Sequence, residues 1–121
     1  MAPLTARHRF AKKIFANPED YLLGPKPKTL RTDEDVERVR RAHLNDLENI
    51  TFFFIAAFAF VLTGPNAWLA NTLFRTYTLA RIAHTLVYAV VVVPQPARAI
   101  AWGIGYGITI YMSVMSIKAF L

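Results

Sequence analysis

Arginine, histidine, asparagine and glutamate recur at helical spacing in this 121-residue chain, and that pattern is its strongest chemical signal. The run ERVRRAHLNDLENI puts Arg41, Asn45 and Glu48 at i, i+4 and i+7, on one helix face, with Arg40 and His43 three apart on the adjoining face. Further on, Arg81, His84 and Tyr88 repeat the pattern at i, i+3 and i+7. No acid follows Glu48, so Arg75 and Arg81 must meet an acid of the earlier helix or an anion from outside. Several arginines without local acids, in apolar surroundings, form a pocket for an anionic ligand. Two structural readings stand beside that one. A basic helix end with its own acids is also a snorkelling anchor, and an Arg81–Glu48 bridge would hold two helices together. Arg98 follows Pro96 in the first turn of a further helix, where free N–H groups and the helix dipole also favour negative charge. It is placed to hold an anion.

Other chemistries fit poorly. With no cysteine there is no disulfide, thiolate nucleophile or zinc–thiolate site, so redox chemistry needs a thiol brought from outside. His43 and His84 stand among arginines that repel a divalent cation, so no metal site is expected. The only serines, Ser113 and Ser116, lie far from any acid, against a Ser-His-Asp triad. A pI near 10 suggests nucleic acid, but the basic segment is interleaved with acids instead of gathered into one stacking surface, and no nucleic-acid partner is expected.

The elements that must position these residues are those of a membrane protein. The chain is 55% hydrophobic and only 18% charged, too apolar for a soluble domain, and a lipid-facing surface accounts for the excess. All eight acids and ten of the fourteen cations lie in the first 48 residues, leaving Arg75, Arg81, Arg98 and Lys118 beyond them. The expectation is one all-α membrane domain over 1–121, a bundle of about three transmembrane helices at 33–63, 67–93 and 96–120, preceded by a cytosolic segment and loop at 1–32. Asp33 offers an N-cap with Glu34, Asp35 and Glu37 in the first turn. Gly64-Pro65-Asn66 and Pro94-Gln95-Pro96 break the apolar runs, and the prolines and glycine between Asn17 and Arg31 mark a surface loop. Met1 to Phe15 lacks the apolar stretch of a signal peptide; it is acid-poor and basic, which suits a cytosolic or interfacial helix better than a mitochondrial presequence. The positive-inside rule places Met1 to Arg41 and the Pro94–Arg98 loop in the cytosol, and the uncharged Thr63–Asn71 loop on the other side. Ala99, Gly103 and Gly107 form a small-residue stripe at i, i+4 and i+8, for packing inside one subunit or against another.

The motifs KIFANPED, LRTDEDVERVRRAHLNDLENI, ARIAHTLVY and PQPAR, in this order and spacing, resemble the microsomal glutathione transferase branch of the MAPEG membrane proteins, over nearly the whole chain from Arg9. The resemblance implies a homotrimer of the endoplasmic reticulum and outer mitochondrial membranes that binds glutathione between subunits near the cytosolic surface. It also implies conjugation of glutathione to lipophilic electrophiles and reduction of lipid hydroperoxides, with membrane lipid as a further partner. By motif position, the glutathione contacts fall on Arg9, Arg40, Arg41, His43, Asn45, Glu48, Arg81 and Tyr88, and the arginine that stabilises the thiolate falls on Arg98. Members have four transmembrane helices, of which the first is missing here. The spacing from Tyr88 to the Pro-Gln-Pro turn is one residue longer than the family pattern, and Tyr21 stands where members carry a cysteine after the NPED run. The alternative to an enzyme is a non-catalytic MAPEG-like lipid-binding or partner subunit.

Overall fold

Alternating turn-breakers and apolar runs produce helices throughout. The computed structural model describes residues 1–21 and 32–121, and among these it is helical without strands. Four α-helices follow in order: α1 at Ala2–Lys12, α2 at Glu34–Leu62, α3 at Ala67–Thr85 and α4 at Ala97–Phe120. A single 3-10 turn at Pro18–Asp20 opens the expected loop, whose remainder lies outside the described residues. The described residues divide into two units, Met1–Leu44 and Asn45–Leu121.

In the first unit, α1 ends at Lys13, which takes a left-handed conformation (φ 52°). Lys12 Nζ contacts the Asp33 and Asp35 carboxylates at 2.8 and 2.5 Å. Asp33 caps α2 as expected, its Oδ1 accepting from the Asp35 and Val36 backbone N–H groups at 3.0 and 3.3 Å. Tyr21 packs edge-on against Phe15, with ring centroids 5.1 Å apart, and its hydroxyl oxygen accepts from the Phe15 N–H.

The second unit is a membrane-type bundle. The helices α2 and α4 are long and apolar enough to cross a membrane. On α2, Phe53, Ala56, Ala57 and Phe60 form the inward stripe at helical spacing, and they cluster with Ala70 and Tyr77 of α3 and Met112 of α4. The Phe53 and Tyr77 rings stack 3.5 Å apart and 9° from parallel. Phe52, Phe54, Ile55 and Phe58 of α2 remain mostly exposed, an apolar exterior that suits lipid. α3 runs back along α2, because Asp46, about 24 Å before the Leu62 end, bonds to Arg81 far along α3.

Two expectations are corrected. The second membrane helix does not stay α-helical to residue 93: it passes at Thr85 into a π turn, Leu86–Val90, and Val91 is extended (φ −118°). The β-branched run Val90–Val93 ahead of Pro94 disfavours the α conformation. Of the two readings left open for the Ala99-Gly103-Gly107 stripe, packing inside one subunit is not met. A side chain at Gly103 or Gly107 meets nothing within 4 Å, whereas one at Gly105 lies 3.3 Å from the Tyr77 ring. The face that packs is Ala101, Gly105, Met112 and Ser116, a stripe 200° away around the helix that the small-residue count alone did not single out.

Candidate functional site

The polar residues of the second unit gather where α3 leaves its α-helical path. Arg81 is buried, and its guanidinium donates to Asn45 Oδ1 at 2.9 Å and to the Asp46 carboxylate. Asp46 stands seven residues before Phe53, on the inward face of α2, while Glu48 lies 200° from it and is exposed. The bridge therefore forms to Asp46 and not to Glu48, and Arg81 is not an uncompensated cation. The sequence does not single out Asp46 as the partner, because carboxylates stand at both 46 and 48 and only the phase set by Phe53 separates them. The Arg81 Nε and the His84 Nδ1 remain buried without hydrogen-bond partners.

His84 meets the Tyr88 ring edge-on at 5.4 Å. The Arg98 guanidinium lies over the same Tyr88 ring, 4.4 Å from its centroid. The π turn explains how they meet. Its Val91 N–H bonds to Leu86 O at 2.8 Å, five residues back, so the turn holds one residue more than an α-turn. Arg98 is the second residue of α4, and the Ala99 N–H at this helix start donates to Gln95 Oε1 at 3.3 Å. One turn along the same face of α2, Asn49 accepts from Trp102 Nε1 at 3.1 Å and donates to the Asn45 carbonyl at 2.8 Å. Arg81, Asn45, His84, Tyr88 and Arg98 thus belong to one unit, linked by contacts through α2, α3 and α4.

Two of the expected residues of the first unit have partners of their own. Arg40 pairs with Glu37 at 2.9 Å and Arg41 with Glu34 at 2.7 Å, the pattern of a snorkelling anchor. His43 is half-buried on the same helix. Arg9 is also half-buried; its Nε has no hydrogen-bond partner, and it lines a cavity of about 370 Å³ with Phe10, Phe15, Glu19 and Asp20.

The MAPEG family model matches residues 1–118. The chain belongs to the MAPEG family. Over 98% of its length and 79% of theirs, this MAPEG chain is 48% identical to the microsomal glutathione S-transferase 1 of Bos taurus and 46% identical to that of Homo sapiens. It is 43% identical to the prostaglandin E synthase of Homo sapiens over 73% of this chain and 58% of the relative. An all-helical MAPEG membrane protein is the architecture that the family and the two apolar helices establish together.

Proposed function

We propose that this MAPEG protein is a membrane-bound glutathione transferase that conjugates glutathione to lipophilic electrophiles, with glutathione-dependent reduction of lipid hydroperoxides as a second activity. The similarity to microsomal glutathione S-transferase 1 along nearly the whole chain carries the reading. The proposed assembly is a homotrimer, in the endoplasmic reticulum or mitochondrial outer membrane, with glutathione as co-substrate.

A thiol with a pKa near ~8.5 is only a few per cent ionised at neutral pH, and the thiolate is the nucleophile. Positive charge near sulfur lowers that pKa without a general base. Arg98 suits this role: it stands in the first turn of α4, and its place over the Tyr88 ring restricts the guanidinium. Arg9, Arg40, Arg41, His43, Asn45, Arg81 and Tyr88 are the proposed contacts to the rest of glutathione, with the arginines on its carboxylates and Glu48 accepting from its ammonium. In conjugation the sulfur attacks an electrophilic carbon and the leaving group departs with the bonding pair. In peroxide reduction the sulfur takes the terminal oxygen, releasing the alcohol, and a second glutathione yields the disulfide and water. The apolar substrate arrives from the bilayer.

A non-catalytic lipid-binding or partner subunit is the second reading, favoured by the Asp46 and Asn45 contacts that already satisfy part of Arg81. Conjugation of 1-chloro-2,4-dinitrobenzene by the purified protein with glutathione separates the two. Turnover above the uncatalysed rate is expected, and its absence in a protein that still binds glutathione overturns the enzyme.

A further inference from the structure

α3 carries a polar stripe that the glutathione reading does not use. Trp68, Asn71, Thr72 and Arg75 stand at i, i+3, i+4 and i+7, so they share one helix face, and all four are exposed. Asn66 fixes where this helix begins, its Oδ1 accepting from the Trp68 N–H at 2.9 Å. Arg75 comes eight residues after Ala67, about 12 Å along the axis. At that distance from the turn the exposed residues of α2, Phe54, Ile55 and Phe58, are apolar, and an exposed guanidinium in such surroundings is costly unless it meets an anion or reaches the interface.

This chain has no anion at that depth. Its last acid, Glu48, lies fourteen residues before Leu62, about 21 Å from the Gly64 turn and roughly 9 Å farther from it than Arg75. A second copy in the same membrane has its acids at the same depths, so it cannot neutralise Arg75 either. We propose that Arg75 binds the phosphate of a phospholipid in the leaflet on the Gly64–Asn66 side, with Asn71 as a second donor and Trp68 at headgroup level. Three properties of the stripe fit this ligand. Side chains on a helix lean towards its N-terminus, which here is the membrane surface, and a long arginine snorkels in that direction. Trp68, 75% exposed and the second residue of the helix, is of the type that settles at the membrane interface. The guanidinium fork matches two phosphate oxygens.

The test uses the full chain in a maltoside detergent, on a Trp102→Phe background so that Trp68 is the sole tryptophan. Phosphatidylglycerol with brominated acyl chains is titrated in, and quenching of Trp68 is read as an apparent Kd. Saturable quenching is expected, about fivefold weaker in Arg75→Gln, largely retained in Arg75→Lys, much weaker for the brominated diacylglycerol, and not reversed by millimolar inorganic phosphate. Asn71→Leu keeps the charge, is expected to weaken binding at least twofold, and carries the test should Arg75→Gln not fold. Equal affinity of the diacylglycerol, displacement by free phosphate, or unchanged affinity in Arg75→Gln and Asn71→Leu overturns the proposal. A change of oligomer size in Arg75→Gln with lipid affinity unaltered also overturns it and assigns the face to a contact between copies.

Discussion

Asp46 and Glu48 differ by one methylene and two positions, yet opposite outcomes are expected on removing them. Asp46 neutralises a buried guanidinium, so Asp46→Ala should destabilise the fold by about 3–5 kcal/mol, the cost of stranding one member of a buried pair. Chemical unfolding in detergent measures this. Glu48→Ala should leave unfolding unchanged and weaken glutathione binding by about 1.5–3 kcal/mol, as for a charged hydrogen bond, read by equilibrium dialysis. Wild-type affinity in that variant would return Glu48 to a solvated helix face. Arg98 belongs to the reaction more than to binding. Arg98→Ala should raise the pKa of bound glutathione and lower turnover at saturating glutathione while affinity holds, the mark of an interaction made to the reactive anion. Thiolate absorbance against pH is the measurement, and an unchanged titration with normal turnover removes Arg98 from the mechanism.

Helix packing is decided at two glycines of α4 that composition does not tell apart. Gly105→Leu drives a side chain into Tyr77 and the Arg81 stem and should cost about 1–3 kcal/mol, whereas Gly103→Leu, opening onto free space within the chain, should leave unfolding of the single subunit unaltered. Oligomer size in detergent then reports whether the Gly103 face contacts another copy. In the first unit, Lys12 holds the Asp33 carboxyl below the usual carboxylate range, and Asp33 with Asp35 raises the Lys12 ammonium. The carboxylate contribution is present above its unfolded pKa and disappears as pH falls below about 4. The lysine contribution is present below its unfolded pKa and disappears as pH rises through values above about 10. The order of α1, followed by NMR chemical shifts, should therefore be greatest between those limits and fall with added salt, since the pair is exposed. Lys12→Ala should flatten the profile.

Across the whole molecule, the uneven placement of charge dictates topology. With no native cysteine, Asn66→Cys and Gln95→Cys can be labelled singly in sealed vesicles, and a membrane-impermeant maleimide is expected to reach them from opposite sides. Labelling of both from one side would overturn the expectation that α3 is a third span. The helical class, the Asp33 cap, the breaks at Gly64-Pro65 and Pro94-Gln95-Pro96, and the membrane character were all legible in the sequence, because each depends on local backbone chemistry or on composition. The types of the site residues were legible too, since their spacing follows from the period of a single helix. Which acid meets Arg81, which small-residue stripe of α4 packs, and how Tyr88 comes beneath Arg98 depend on the rotation of one helix against another and on a π turn that shifts phase by one residue. A helix has a full circle of faces, and its own sequence ranks them only by apolarity. In a chain apolar on nearly every side that ranking is weak, so tertiary packing chose the faces.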